Sequence, residues 1–169
     1  QLNEVHESGK SPQRGETTLS GKYAFYNIYQ CADGKSVSLG TFEPWFWKRL
    51  CELLGVPEFA DRQYPETEEE AEAQKATLRE IFLTRDRDEW VERLMFEDTC
   101  VTPVLSLDEV MADRHHRERG AILAGKDIGK GFADQVGIIY KLSKTPGTIR
   151  RQAPKTGADT ADILREIGY

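Results

Sequence analysis

One carboxylate stands out by its setting: Glu43, in the run Gly40-Thr41-Phe42-Glu43-Pro44-Trp45-Phe46. Polar and apolar residues alternate from Ser36 to Leu39, the pattern of a half-buried strand, and Gly40 and Thr41 break it. Pro44 then suits the first turn of a helix, where its missing N–H costs nothing. Glu43 is therefore expected between a strand end and a helix N-terminus, where backbone N–H groups and the helix dipole favour negative charge. By this setting alone Glu43 reads as an ordinary helix-start acid, ahead of any chemical role. Phe42, Trp45 and Phe46 flank it. The commoner fate of such aromatics is core packing.

The other candidate groups carry weaker signals. His6 falls in a polar lead-in and reads as solvated. His115 and His116 are adjacent, so they point different ways on a helix or strand, and zinc-binding helix pairs sit at i and i+4; no metal is expected. Cys31, Cys51 and Cys100 show no CxxC or metal spacing. Cys100 has no local sign of a base to activate it and reads as a buried or half-buried structural thiol. The acidic run Glu66–Glu72 reads as a solvated helix face. The stretch GKDIGKG (125–131) has neither the Walker spacing nor a helix opening straight after it, so a hairpin connection is expected there rather than a phosphate loop.

The chain of 169 residues is long enough for one ordinary domain, and its 38% apolar and 31% charged residues describe a soluble, rather polar globular chain. A net charge of −6 argues against a general nucleic-acid surface. No apolar run reaches membrane-spanning length, and no signal peptide is visible. With sparse cysteines this points to a reducing, cytoplasmic setting. The sequence starts without Met in mid-phrase, as a fragment or trimmed chain would.

The elements that must position these groups follow from local pattern. Residues 26–31 and 36–39 read as strands joined by Ala32-Asp33-Gly34, since Asp and Gly tolerate the positive φ of a tight hairpin. A helix is expected from Pro44 to Leu54, with Trp45, Phe46, Leu50, Leu53 and Leu54 at helical spacing and Gly55 as its C-cap. A loop spans Asp61–Pro65. A longer helix runs from Thr67 or Glu68 to Leu83, burying Leu78, Ile81 and Phe82. Asp86 and Glu89 form a capping box for a helix that buries Trp90, Val91 and Leu94, and Ser106 with Glu109 forms another for a helix to about Ala112. Between them, residues 98–105 read as a short strand whose Pro103 puts it at an edge or a break. Ala121–Leu123 and Val136–Leu142 read as strands, and Thr160 as the cap of a helix over 161–167. The fold class expected is α+β: a small antiparallel sheet with three to four packed helices and an irregular C-terminal arm.

Several of these phrases together resemble family III of the CoA-transferases, the carnitine-CoA transferase and racemase superfamily. They are Asp33-Gly34-Lys35, Val37 to Gly40, Gly40-Thr41-Phe42-Glu43-Pro44-Trp45-Phe46, Thr84 to Trp90, the Val101–Val104 segment and Ser143-Lys144-Thr145-Pro146-Gly147. Arg14-Gly15 through Gly21 and Asp113 through Gly120 are similar to further family phrases. The likeness is greatest to the α-methylacyl-CoA racemase branch. It implies a linker over 1–22, the family's small domain over 23–125, and an arm over 126–169 returning to a large Rossmann-like domain absent from this chain. It also implies an interlocked homodimer acting on an acyl-CoA thioester, with no permanently bound cofactor.

In the racemase branch a His and an Asp move the α-proton, and the Glu of Gly-x-x-Glu-Pro hydrogen-bonds that His; the resemblance gives Glu43 this supporting role and makes Phe42, Trp45 and Phe46 candidates to line the acyl pocket. No residue here matches the family's His and Asp, so this piece alone is expected to be inactive. The alternatives are an acyl-CoA:carboxylate CoA-transferase, in which an Asp attacks the thioester, or a non-catalytic module binding CoA esters or a partner.

Overall fold

The computed structural model describes residues 5–6, 9–11, 13, 15–151 and 153–169. Pro12 and Arg14, the latter part of one family-like phrase, lie outside the described residues. The chain forms two compact units, Gln1–Val104 and Leu105–Tyr169.

The first unit is built on a three-stranded antiparallel sheet of β1 (Tyr26–Gln30), β2 (Ser36–Gly40) and β3 (Val101–Val104), with β2 in the middle. The hairpin register pairs Tyr29 with Val37 and Asn27 with Leu39, and Leu39 in turn pairs with Val101. Alternation therefore puts Tyr29, Val37, Leu39 and Val101 on one face, and all four are buried. Pro103 sits on β3, an edge strand, where a missing N–H can face away from the ladder. In the turn, the Asp33 carboxylate accepts from the Lys35 N–H at 3.1 Å.

Three helices complete this core: α1 (Pro44–Leu54), α2 (Glu68–Phe82) and α3 (Arg87–Leu94), with a 3₁₀ turn at Pro57–Phe59. Gly55 closes α1 in the left-handed region, φ 77°, a conformation that costs glycine little. Thr67 caps α2 by accepting from the Glu70 N–H, and Asp86 with Glu89 forms the expected capping box of α3. Leu78, Phe82, Trp90 and Leu94 are buried as their spacing predicts, and the Tyr29 ring stacks on Phe82.

Helix α1 departs from expectation. Its buried stripe is Trp47, Leu50 and Cys51, whereas Trp45 is 64% exposed. Residues two apart on a helix lie roughly 200° apart around the axis, so only one of the two tryptophans can face the core. Trp47 takes that place because it continues the i, i+3, i+4 stripe, and its indole N–H donates to the Phe59 carbonyl at 2.8 Å.

The second unit opens with α4 (Leu107–Ala112), capped by the expected Ser106–Glu109 box. Asp113 then caps a one-turn helix α5 (Arg114–Glu118), which carries both His115 and His116. Next come β4 (Ile122–Leu123), α6 (Gly125–Ile128), β5 (Gln135–Val136) and α7 (Thr160–Glu166). GKDIGKG lies in the connection between the antiparallel β4 and β5, as the hairpin reading expects, and it begins with a helical turn held by the Asp134 carboxylate accepting from the Gly125 N–H at 2.9 Å. Two expectations are corrected here. The strand expected over 136–142 ends at Val136. There Gly137 donates to the Ala121 carbonyl at 2.8 Å, so close that a Cβ would lie 2.0 Å from the Gly120 oxygen. The cap of α7 is Asp159, with Thr160 inside the helix. The described backbone from 137 to 159 carries no helix or strand, which makes this arm as irregular as its composition implies.

Candidate active site around Glu43

Glu43 is the N-cap residue of α1, extended at φ −74° and ψ 139°, and half-buried. Its carbonyl accepts from the N–H groups of Phe46 and Trp47, both at 3.1 Å. Its side chain does not cap the helix. Among the described residues nothing hydrogen-bonds or ion-pairs with its carboxylate. That separates Glu43 from an ordinary helix-start acid, which turns back to satisfy the first N–H groups.

The backbone leading to Glu43 is held from several directions. Gly40 donates its N–H to the Cys100 carbonyl at 3.1 Å. Thr41 is fully buried, and both its N–H (3.1 Å) and its hydroxyl (2.7 Å) donate to the Phe25 carbonyl. The side-chain amide of Gln63 donates to the Thr41 carbonyl at 3.1 Å and to the Phe42 carbonyl at 2.8 Å. These carbonyls lie past the end of β2, where no strand partner reaches them, and buried carbonyls without partners are costly.

The aromatics around Glu43 are more exposed than core packing implies. Phe42 is 43% exposed, with its ring set edge-on to Phe25 at 6.1 Å. Trp45 contacts Phe46 edge-on at 5.6 Å, and Phe46 is half-buried. Among the described residues, then, the Glu43 carboxylate has no hydrogen-bond or ion-pair partner, and its sequence neighbours Phe42 and Trp45 are exposed.

Cys100 corrects a further expectation: it is exposed, not buried. It sits at φ 51° and Asp98 at φ 54°, left-handed conformations uncommon outside glycine. Desolvation raises the Cys100 thiol pKa most, and the charge of Glu43 raises it further. Cys100 is thus near Glu43 but held in its protonated form, the opposite of an activated nucleophile. Burial pushes the other thiols up as well, Cys31 to about 11 and Cys51 to about 12.

The remaining candidates do not gather. His6 is exposed, and His115 and His116 lie on α5 with their rings 5.8 Å apart. Among the described residues no group of three or more His, Cys, Asp or Glu side chains is arranged to hold a metal. Gln63 and Thr41 were not legible as site residues, because a glutamine in a polar loop carries no sign that it will be buried.

A profile of CoA-transferase family III matches residues 1–160. The chain belongs to CoA-transferase family III. Alpha-methylacyl-CoA racemase of Mus musculus is 29% identical over 164 residues, covering 92% of this chain and 40% of that protein. The β subunit of succinyl-CoA–L-malate CoA-transferase from Chloroflexus aurantiacus is 30% identical over 147 residues, covering 82% of this chain and 36% of the relative. The chain thus spans about two fifths of the length of the racemases it matches. A crystal structure of a CAIB/BAIF family protein from Brucella suis superposes with a TM-score of 0.75 at 22% identity, over 99% of this chain and 43% of that one. At that identity the likeness speaks for the fold. The family III relatives are racemases and CoA-transferases, so this is a family of enzymes that act on CoA esters.

Proposed function

We propose that this chain is the C-terminal part of an acyl-CoA racemase, and that Glu43 serves its proton-transfer step. The observation that carries the reading is the Glu43 carboxylate: fixed by its backbone, unused by its own helix and bordered by exposed Phe42 and Trp45. In the proposed reaction a base removes the α-proton of the thioester. The electron pair of the C–H bond passes into the enolate, and a second group returns a proton to the opposite face. Those two groups lie outside this chain; none of its three histidines takes the part.

The role of Glu43 is to accept a hydrogen bond from the base, an imidazole, and to stabilise its protonated form. Phe42, Trp45 and Phe46 border the acyl chain. The complete enzyme works as a homodimer in the cytoplasm. A second reading, a family III CoA-transferase, draws support from the Chloroflexus relative. The motif Glu43-Pro44 weighs toward the racemase, since the transferase branch more often carries a glycine-rich loop as its moving element.

The test is to supply the complete enzyme with a 2-methylacyl-CoA of one configuration in deuterated water. Deuterium at the α-carbon with loss of configuration is the expected result. Retained α-protium, together with CoA passing to an added carboxylate, would establish the transferase instead.

A further inference from the structure

We propose that Gln63 is a positioning residue for the reaction: its amide fixes two successive carbonyls and thereby the place of the Glu43 carboxylate. The inference rests on the role given to Glu43 above. Gln63 comes from the loop after the 3₁₀ turn, far from Glu43 in sequence, yet only 7% of it is exposed. Its two amide N–H bonds match two acceptors, the carbonyls of Thr41 and Phe42. The loop that presents it is itself held, because Gln74 of α2 donates to the neighbouring Arg62 carbonyl at 2.8 Å.

On the other side of the same segment, Thr41 grips the Phe25 carbonyl twice and Gly40 binds the Cys100 carbonyl. The three residues before Glu43 are thus tied to the entry of β1, to the loop before β3 and to the loop at 60–65. Such over-determination suits a side chain that must meet a group on another part of the enzyme within a fraction of an ångström. Gln63 touches no substrate in this account; it acts through the peptide units that carry Glu43.

The experiment uses the complete enzyme and reads α-proton exchange of a 2-methylacyl-CoA across pH for Gln63→Met, Glu43→Gln and the double variant. Met keeps the volume and removes both donors. The expected result is exchange slowed about tenfold or more by Gln63→Met. The acidic limb of its kcat/KM profile should move to lower pH, as should that of Glu43→Gln, because a displaced carboxylate no longer stabilises the protonated base. In the Glu43→Gln background Gln63→Met should add no further loss.

Slowing that is equal in both backgrounds, with the limb unmoved, would reduce Gln63 to a structural residue and overturn the proposal. An unaffected Gln63→Met beside a slowed Glu43→Gln would overturn it too, while leaving the role of Glu43 intact. If Glu43→Gln exchanges at the unmodified rate, the reading of Glu43 fails and the positioning role falls with it. Should Gln63→Met not fold, Thr41→Val removes the hydroxyl of the same clamp while keeping its shape, and the same three readouts apply.

Discussion

Glu43 and Cys100 are distant in sequence, yet the Glu43 charge raises the Cys100 thiol pKa, adding to the larger effect of desolvation. The Cys100 carbonyl also accepts from Gly40, three residues before Glu43. The turn entering β3 and the turn leaving β2 therefore form one surface, and the thiol is a built-in reporter on the carboxylate.

That pairing predicts a pattern of alkylation. Cys100 is exposed and Cys31 and Cys51 are buried, so iodoacetamide should modify Cys100 first in the folded protein. Glu43→Gln removes a charge that disfavours the thiolate. Alkylation of Cys100 at pH 8 should then quicken, because more of the thiol is ionised. Peptide mass spectrometry over time measures both rates. Equal rates in the two proteins would show that the carboxylate does not act on the thiol.

The two tryptophans at the start of α1 should behave oppositely. Trp47 is fully buried and bonded to the Phe59 carbonyl, so Trp47→Ala should cost about 3–5 kcal/mol. Trp45→Ala, on the exposed face, should change stability by less than about 0.5 kcal/mol. Urea unfolding of the two variants measures the contrast, and similar losses would contradict the assignment of faces.

The contrast also shows what the sequence could and could not reveal. The hairpin, the capping boxes at Asp86 and Ser106 and the stripe of α2 were legible, because turn chemistry and helical period act locally. Glu43 was legible as a residue between strand and helix for the same reason. The facing of Trp45 against Trp47 was harder to read, since Trp45 and Phe46 compete with Trp47 for the stripe that includes Leu50, and the bond from Trp47 to the Phe59 carbonyl exists only in the folded chain. Cys100 was misplaced because its residue type predicts burial, while the left-handed backbone at Asp98 and Cys100 turns that loop outward. Gln63 was invisible because the Thr41 and Phe42 carbonyls come within reach of its amide only in the folded chain.

Glu72 gives a prediction in pH. It accepts from Lys75 at 2.8 Å and Arg79 at 2.6 Å on α2, and these bonds hold its pKa down at about 2. A carboxyl of depressed pKa stabilises the fold above its unfolded value, near 4.3, and loses that contribution as pH falls towards the folded value. The group is exposed, so the whole contribution should be below about 1 kcal/mol. Thermal unfolding should find Glu72→Gln slightly less stable than the unmodified chain at pH 7 and indistinguishable from it near pH 2. A gap that persists unchanged at pH 2 would mean that the carboxylate charge is not its source.

The most direct test of the account is the rate of α-proton exchange in a 2-methylacyl-CoA, measured in deuterated water for the complete enzyme with Glu43 and with Glu43→Gln. Thermal unfolding is followed alongside. The account predicts exchange slowed by about a hundredfold with the unfolding temperature unchanged, since the Glu43 side chain does not cap its own helix. Exchange at the unmodified rate in a folded Glu43→Gln enzyme would contradict it.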